Sequence, residues 1–304
     1  MRRIVNVLIV SAYAALAGCG EAGDTQDTED TAAGEDTTAT AAEAESGYAE
    51  VNGLRMYYEI HGEGRPLVLL HGAYMSIESM KPILDRLAED RRVIALESQG
   101  HGRTADIDRP ITYEQMADDV AAAMEALGVE QADVFGYSMG ASTALQLAVR
   151  HPARVRRLVV ASGTYNTEGM YPELVAMIEQ MTPESFAGSP FETEYKRLAS
   201  NPENFPVLVE KLKQLDTTPQ DWPAEDIAGI EAPTLVVSGD SDVVRPEHSV
   251  EIFRLLGGGP TPDFMGASDD QLAILPGASH LGVIEQLDLL MAIVQEFLDR
   301  GAEE

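Results

Sequence analysis

A serine flanked by glycines stands near the middle of the chain. Residues 136–140 read GYSMG, with Ser138 at the centre, between an apolar run that predicts a strand and a stretch that predicts a helix. A sharp turn from strand to helix throws the serine side chain clear of a sheet, and the flanking glycines let the backbone close that tightly. The N–H groups and dipole of the following helix favour developing negative charge. The pattern therefore predicts that Ser138 is a nucleophile.

A serine hydroxyl is a weak nucleophile without a base, and the chain has six histidines that could supply one. His280 ends the segment PGASH at residues 276–280, which is predicted to be a loop after the last strand. Loops at the carboxyl ends of parallel strands are where such folds place their chemistry. His61, His151 and His248 are interpreted as surface or helix-cap residues, from their places in a hairpin, after a helix and in a first helical turn. His280 is therefore the predicted general base.

The acid that orients the histidine should follow an intermediate strand. The predicted strand at residues 234–238 runs directly into GDSDVV, which contains both Asp240 and Asp242. Asp240 follows the strand more closely, but it could instead be a turn or helix-cap residue. The chain order Ser138, Asp242, His280 is one that serine hydrolases use. The residues alone leave both carboxylates as candidates.

Strands and helices are predicted to alternate from Tyr48 onward. Asn52-Gly53 between two alternating segments is a strong hairpin signal. Thr112 with Gln115 three residues later predicts a capping box for a helix over residues 112–127. The other predicted strands lie at 66–70, 92–96, 132–137, 158–161, 234–238 and 271–275, with helices near 79–88, 139–149, 246–256 and 286–298. Buried strands separated by helices predict a mostly parallel eight-stranded sheet with helices on both faces, and the hairpin adds antiparallel strands at one edge.

Residues 166–230 interrupt this alternation. They contain no convincing strand, and Leu174, Met177, Ile178 and Met181 recur at the spacing of one helical face. Six prolines from residue 183 onward divide the segment into short pieces. An insertion of this size between two strands predicts a small helical cap.

From about Tyr48 to Leu298 the chain resembles the α/β-hydrolase superfamily. The resemblance is carried by the GYSMG motif, by Gly-x-x-Asp at residues 239–242, by Gly-x-x-His at residues 277–280 and by His-Gly at residues 71–72. The second of these motifs favours Asp242 over Asp240. The resemblance also implies that the backbone N–H groups of Ala73 and Met139 form an oxyanion hole.

One family motif is altered here. The family pattern Asp-x-x-Gly-His-Gly-x-Ser reads ESQGHGRT at residues 97–104, with glutamate and threonine at its ends. Neither change affects a triad residue, but the departure weakens assignment to any one subfamily.

The resemblance implies acyl transfer through an acyl-enzyme, with no metal or organic cofactor. Epoxide hydrolases and haloalkane dehalogenases of this fold use an aspartate nucleophile, so Ser138 argues against both. Carboxylesterases, lactonases, carbon–carbon bond hydrolases, peptidases and perhydrolases remain, and a small ester or lactone is the preferred substrate. A non-catalytic binding protein on the same fold is the competing class. Six methionines could line an apolar acyl pocket, although core packing explains those of the cap equally well: Met75, Met80, Met139, Met170, Met177 and Met181.

Acidic residues are in large excess. The 304 residues include 51 acids and 21 bases, for a net charge of −30. Phosphate binding needs a basic patch, so this composition argues against a nucleic-acid partner. The apolar fraction of 44% is ordinary for a globular protein with a sizeable core. The single cysteine, Cys19, excludes an intrachain disulfide, and no Cys/His pattern predicts a zinc site.

The first eighteen residues are typical of an export signal. Two arginines precede an apolar run over residues 4–16, which is too short for a spanning helix. Residues 16–19 read LAGC and are similar to the bacterial lipobox, which implies cleavage before Cys19, acylation of that cysteine and anchorage to a membrane. The residue after the cysteine is Gly20 rather than an aspartate, and in this the chain resembles lipoproteins that are exported to the outer membrane. The alternative is a plain signal peptide in which the cysteine is incidental.

A linker is predicted after the lipidated cysteine, so that residues 19–46 precede the folded part. Residues 20–46 contain nine acids, no base and no aromatic residue. Such a segment buries too little apolar surface to offset its ordering entropy, and it predicts a disordered tether. The folded domain is expected over residues 47–304.

Overall fold

The computed structural model describes residues 44–259, 261, 263, 266 and 268–300. The predicted signal peptide, Cys19 and almost all of the predicted linker lie outside these residues. Within them, no helix is both long and apolar enough to cross a membrane.

Eight strands form one sheet: β1 (Glu45–Val51), β2 (Leu54–His61), β3 (Arg65–Leu70), β4 (Arg91–Leu96), β5 (Ala132–Tyr137), β6 (Val155–Ala161), β7 (Thr234–Ser241) and β8 (Gln271–Ser279). Their order across the sheet is β1-β2-β4-β3-β5-β6-β7-β8. The pairs β1–β2 and β2–β4 are antiparallel, and all the other neighbouring strands are parallel. The predicted fold class, a mostly parallel eight-stranded sheet with antiparallel strands at one edge, is confirmed.

The α-helices of the described residues are α1 (Lys81–Leu87), α2 (Tyr113–Ala126), α3 (Met139–Arg150), α4 (Pro172–Ile178), α5 (Pro190–Leu198), α6 (Phe205–Thr217), α7 (Ala224–Ala228), α8 (Pro246–Leu255), α9 (His280–Glu285) and α10 (Leu287–Asp299). Helices α2, α3, α7 and α8 pack on one face of the sheet, and α1, α9 and α10 pack on the other. Val134 in β5 packs in the apolar cluster that contains α2 and α3, whereas the adjacent Phe135 packs in the cluster that contains α1 and α10. Because successive side chains of a strand point to opposite faces, β5 is buried along its whole length, with apolar side chains on both faces.

Two local sequence signals act largely as predicted. Asn52 and Gly53 have φ values of 49° and 81°, as a two-residue hairpin turn between β1 and β2 requires. The Thr112 side chain accepts a hydrogen bond from the N–H of Gln115, at 3.2 Å, and caps α2. The Gln115 amide donates to Asp119 at 3.5 Å, and among the described residues its oxygen accepts no hydrogen bond from the N–H of Thr112, so the predicted capping box is only half formed.

The end of the sheet near His280 differs from the prediction. Residues 276–279, predicted as a loop, continue β8 to Ser279, and His280 is the first residue of α9. The pairing of β7 with β8 resumes after a register shift, with Ser241 opposite Ser279, and this extends both strands beyond their apolar runs. The predicted loop position of His280 is therefore wrong, although the residue still follows the carboxyl end of a strand.

Helical segments lie between β6 and β7, where the cap insertion was predicted. Helices α4 to α7 and several 3₁₀ turns occupy residues 167–228. The predicted helical face in α4 is shorter than its sequence spacing indicated, because α4 ends at Ile178 and Met181 lies beyond it. The longest cap helix, α6, buries a stripe of apolar side chains: Phe205, Leu208, Val209, Leu212 and Leu215.

Candidate active site

Ser138 lies on a tight turn between β5 and α3. Its backbone has φ 54° and ψ −118°, a conformation that is strained for any residue with a side chain. The turn has no room for side chains at its flanking glycines: a Cβ at Gly136 would lie 2.3 Å from the carbonyl oxygen of Gly140. A Cβ at Gly140 would lie 2.4 Å from the carbonyl oxygen of Leu70. The GYSMG motif therefore forms the strand-to-helix elbow that its spacing predicts.

The structure brings Ser138, His280 and Asp242 into one chain of hydrogen bonds. The distance from Ser138 Oγ to His280 Nε2 is 2.9 Å, and that from His280 Nδ1 to Asp242 Oδ1 is 2.6 Å. Because an ionised carboxylate can only accept, the imidazole proton belongs on Nδ1, which leaves Nε2 free to accept the serine proton. This is the arrangement in which a histidine acts as the general base for a serine nucleophile.

Asp242 is held by several donors as well as by His280. Its side chain is buried, and Oδ2 accepts from the hydroxyl of Ser162 at 2.6 Å and from the N–H of Gly239 at 3.2 Å. Oδ1 also accepts from the N–H of Val244 at 3.2 Å. Burial raises the pKa of Asp242, but the hydrogen bond and charge of His280 and the donors on Oδ2 outweigh burial and hold the pKa below its usual value. The carboxyl is thus ionised at neutral pH.

Asp240, the other carboxylate that the sequence left open, faces away from this chain. It is exposed, and its oxygens accept from the N–H of Gly277 at 2.9 Å and from the hydroxyl of Ser241 at 3.1 Å. It thus stabilises the β7–β8 end of the sheet, whereas Asp242 contacts His280.

The two predicted oxyanion donors lie on the turns that follow β3 and β5. Ala73 comes directly after the His-Gly pair, and Met139 is the first residue of α3. Among the described residues, neither N–H donates a hydrogen bond to another protein atom. Both groups are therefore available to a ligand, as an oxyanion hole requires.

Two buried histidines hold the turn that carries Ala73. His71 Nε2 accepts from the N–H of Ser98 at 3.1 Å, and His101 Nε2 accepts from the N–H of Tyr74 at 3.2 Å. Nδ1 of each ring lies close to a backbone carbonyl oxygen, at 2.8 Å for His71 and 3.0 Å for His101. Burial lowers the pKa of His71 to about 4 and that of His101 to about 3. Both rings are therefore neutral at physiological pH and serve as fixed links between the turns after β3 and β4.

Comparison with known proteins places the chain in a family. Residues 65–222 match the family model described as alpha/beta hydrolase fold. The chain belongs to this family. It is 31% identical over 184 residues to the putative carbamate hydrolase RutD of Azorhizobium caulinodans, which is 60% of this chain and 62% of that protein. It is also 37% identical over 112 residues to the 2-hydroxymuconate semialdehyde hydrolase of Pseudomonas sp. (strain CF600), which is 36% of this chain and 40% of that protein.

The chain therefore spans less than two thirds of the length of these curated relatives. Among solved structures, the enol-lactonase from Burkholderia xenovorans LB400 superposes with a TM-score of 0.62 at 23% identity, over 83% of this chain and 100% of that one. At this level of identity the match shows the shared fold alone.

In this α/β-hydrolase, the altered motif at residues 97–104 has a structural role. The buried carboxylate of Glu97 accepts from the N–H of Arg103 at 2.5 Å and from its guanidinium at 3.0 Å. Burial raises the pKa of Glu97 to about 7 against the opposing effect of Arg103. The Thr104 hydroxyl donates to the carbonyl of Glu97 at 2.8 Å and accepts from the N–H of Tyr57 at 2.8 Å. The two substituted residues thus hold the turn that contains His101.

His248 is not the surface or cap residue that its position in α8 suggested. Its side chain is buried and stacks on the ring of Tyr165, with a centroid distance of 4.9 Å. Nε2 accepts from the N–H of Tyr165 at 3.3 Å, and Nδ1 lies 3.2 Å from Glu251. His248 lies four residues before the buried Ile252 and therefore on the same, inner face of α8. This spacing is the sequence signal for its burial. His61 and His151 keep partly exposed side chains.

The cap of this α/β-hydrolase packs directly over the nucleophile turn. Met139 belongs to an apolar cluster with Phe186 and the buried stripe of α6, and Ala73 and Tyr74 pack at its margin. Four of the methionines proposed for an acyl pocket lie in two different clusters. Met139 and Met181 pack in this cap cluster, whereas Met75 and Met80 pack in the core cluster that contains Phe135 of β5. Met80 is therefore core packing and not part of an acyl pocket.

Proposed function

We propose that this chain is a serine hydrolase that cleaves a small carboxylic ester or lactone through an acyl-enzyme. The observation that carries the proposal is the hydrogen-bond chain from Ser138 through His280 to the ionised Asp242. It lies on a strained elbow that exposes the serine at the start of a helix. The named hydrolases among the relatives support the same general reaction.

The reaction follows from this geometry. Ser138 Oγ attacks the carbonyl carbon while its proton passes to His280 Nε2, and the resulting oxyanion accepts from the N–H groups of Ala73 and Met139. As the carbon–oxygen bond to the leaving group breaks, His280 gives that proton to the departing alkoxide. Water then attacks the acyl-enzyme, its proton passes to His280 and on to Ser138 Oγ, and the acid product leaves.

A carbon–carbon bond hydrolase is the second candidate. The observation that favours it is the 37% identity to 2-hydroxymuconate semialdehyde hydrolase. The same serine, base and oxyanion donors could serve that reaction, with a carbanion equivalent as the leaving group. Esters and lactones remain preferred because their leaving oxygen needs only the proton that His280 already carries.

The test is covalent labelling followed by a substrate panel. A fluorophosphonate probe should label the parent protein but not Ser138→Ala. The control is Ser241→Ala, which removes an exposed serine outside the site and should still be labelled. Failure of the parent to react would overturn the enzyme proposal, and labelling of Ser138→Ala would overturn the assignment of the nucleophile. A panel of esters, lactones and vinylogous 1,5-diketones then separates the two candidate reactions.

We also propose that the chain is exported and anchored to the bacterial envelope by acylation of Cys19. The support is the LAGC segment at residues 16–19 after a basic and then apolar N-terminal run. Incorporation of radiolabelled palmitate into the full chain, expressed in a bacterium, tests this. We expect labelling of the parent and its loss in Cys19→Ser, whereas an unlabelled parent would overturn the anchor.

A further inference from the structure

An acidic residue lies within the apolar stripe of α6 that covers the active site. Asp216 follows Val209 by seven residues and Leu212 by four, so at 3.6 residues per turn it occupies the same helical face. That face packs in the cluster that contains Met139, the residue after the nucleophile. In an ordinary amphipathic helix the buried face is apolar and the charged residues lie on the opposite side, so an acid on this face is unusual.

The surroundings of Asp216 place it next to the catalytic groups. Its carboxylate interacts electrostatically with His280, Tyr74 and Tyr113. Protein atoms surround the side chain, which still keeps part of its surface accessible, as do both tyrosines. Burial raises the pKa of Asp216 to about 7, and the charge of His280 only partly offsets this. Asp216 thus lies on the face of the cap helix that packs against the residue after the nucleophile.

Among the described residues, no lysine or arginine pairs with this carboxylate. Within the described part of the chain, Asp216 makes no hydrogen bond and no ion pair. The lysines of α6 are engaged elsewhere: Lys211 binds Asp106 at 2.7 Å, and Lys213 pairs with Glu210 at 3.0 Å. A buried carboxylate without a partner is destabilising, and a neutral or apolar residue would pack better at this position.

We propose that Asp216 is a specificity residue that binds a cationic group, such as an ammonium, on the substrate of this hydrolase. The inference rests on the proposed function. A substrate ammonium would supply the missing counter-charge. The partly exposed rings of Tyr74 and Tyr113, which pack against the same cluster as α6, would favour such a group through cation–π attraction. The preferred substrate is then an ester or lactone that carries a positively charged nitrogen.

Matched substrates that differ only in charge test the proposal. The 4-nitrophenyl esters of 4-(trimethylammonio)butanoate and 5,5-dimethylhexanoate have the same shape, and the butanoate esters of choline and 3,3-dimethylbutanol place the charge on the leaving group instead. For each pair, kcat/KM for the cationic ester is divided by kcat/KM for the neutral ester, and this ratio is compared between the parent and Asp216→Asn. Glu203→Gln, which removes an exposed acid just before the same helix, is the control. Inhibition by butyltrimethylammonium provides a binding measurement that does not depend on turnover of either ester.

We expect Asp216→Asn to lower the ratio for at least one pair by about 10- to 100-fold and to weaken the inhibitor to a similar extent. Glu203→Gln should change either value less than about twofold. An unchanged ratio for both pairs would overturn the proposal. If kcat/KM falls equally for the cationic and the neutral esters, Asp216 acts on His280 rather than on the substrate. Failure of the proposed function itself is distinct, because the parent would then neither hydrolyse any ester nor react with the fluorophosphonate probe.

Discussion

The hydroxyl of Ser162 donates a 2.6 Å hydrogen bond to Asp242 Oδ2, while His280 binds the other oxygen of the same carboxylate. Ser162 itself has φ 57°, and its N–H donates to the carbonyl of Val237, so the residue directly after β6 is fixed to β7. The acid of the triad is therefore oriented by a neighbouring strand as well as by its own. Ser162 acts through Asp242 and is a positioning residue.

Ser162→Ala should lower kcat about 10-fold with little change in KM. The variant removes a hydrogen bond to a buried charge, which contributes roughly 1.5–3 kcal/mol, but the N–H donors of Gly239 and Val244 remain. Steady-state kinetics on a 4-nitrophenyl ester measure kcat and KM separately, with Ser241→Ala as the matched control. Since weaker hydrogen bonding raises the pKa of Asp242, activity should also fall off at a higher pH on the acid side. An unchanged kcat and pH profile would mean that Ser162 does not position the acid.

Asp242→Asn and Asp240→Asn should differ sharply in activity. The first variant keeps the shape of the side chain but presents an amide to His280 Nδ1 and favours the wrong tautomer, so kcat should fall by about 10³- to 10⁴-fold. The second affects an exposed carboxylate that binds Gly277, and kcat should stay within a factor of about two. The two residues are only two positions apart, so each variant controls for the other. A large loss in Asp240→Asn alone would reverse the assignment of the acid.

The fold was predictable because its signals are local and repeated. The apolar runs LVLL in β3 and VFGY in β5 make up most of each strand, since helices on both faces bury them. The end of β8 was not predictable in this way. Residues 276–279 contain proline and glycine, and their pairing depends on a register shift against β7 that only the assembled sheet imposes.

The site was predictable to the extent that chain order and motif spacing determine it. Ser138 and His280 follow strand ends, and the structure brings them within hydrogen-bond distance. Ser162 has no motif of its own, and its contact with Asp242 joins residues 80 positions apart. Asp216 did have a signal, because an acid four residues after Leu212 interrupts an otherwise apolar helical face.

Strain at the elbow predicts a difference between two inactive variants. Ser138→Ala and Ser138→Gly both remove the nucleophile, and both should hydrolyse esters at no more than the background rate. Alanine keeps a Cβ at φ 54°, whereas glycine adopts this conformation without steric strain. We expect the glycine variant to be more stable than the alanine variant by about 1 kcal/mol, measured by urea unfolding. Equal stabilities would show that the turn does not strain residue 138.

The unpaired carboxyl of Asp216 predicts a stability change that depends on pH. Its pKa is raised to about 7 in the folded protein from an ordinary value near 3.8. The unfolded chain therefore loses this proton at lower pH than the folded protein does, and ionisation of the buried group opposes folding above that range. Asp216→Asn should raise the free energy of unfolding by about 1–3 kcal/mol at pH 8.

This gain should shrink as the pH falls below 7 and become small at about pH 4, where the parent carboxyl is protonated in the folded state and partly protonated in the unfolded chain. Urea unfolding of the parent, Asp216→Asn and the control Glu203→Gln at several pH values from 4 to 8 measures the dependence. A gain that stays constant over this range would come from packing rather than from charge. A variant that is more stable but less selective for cationic esters would show that the carboxyl is retained for substrate binding at the expense of stability.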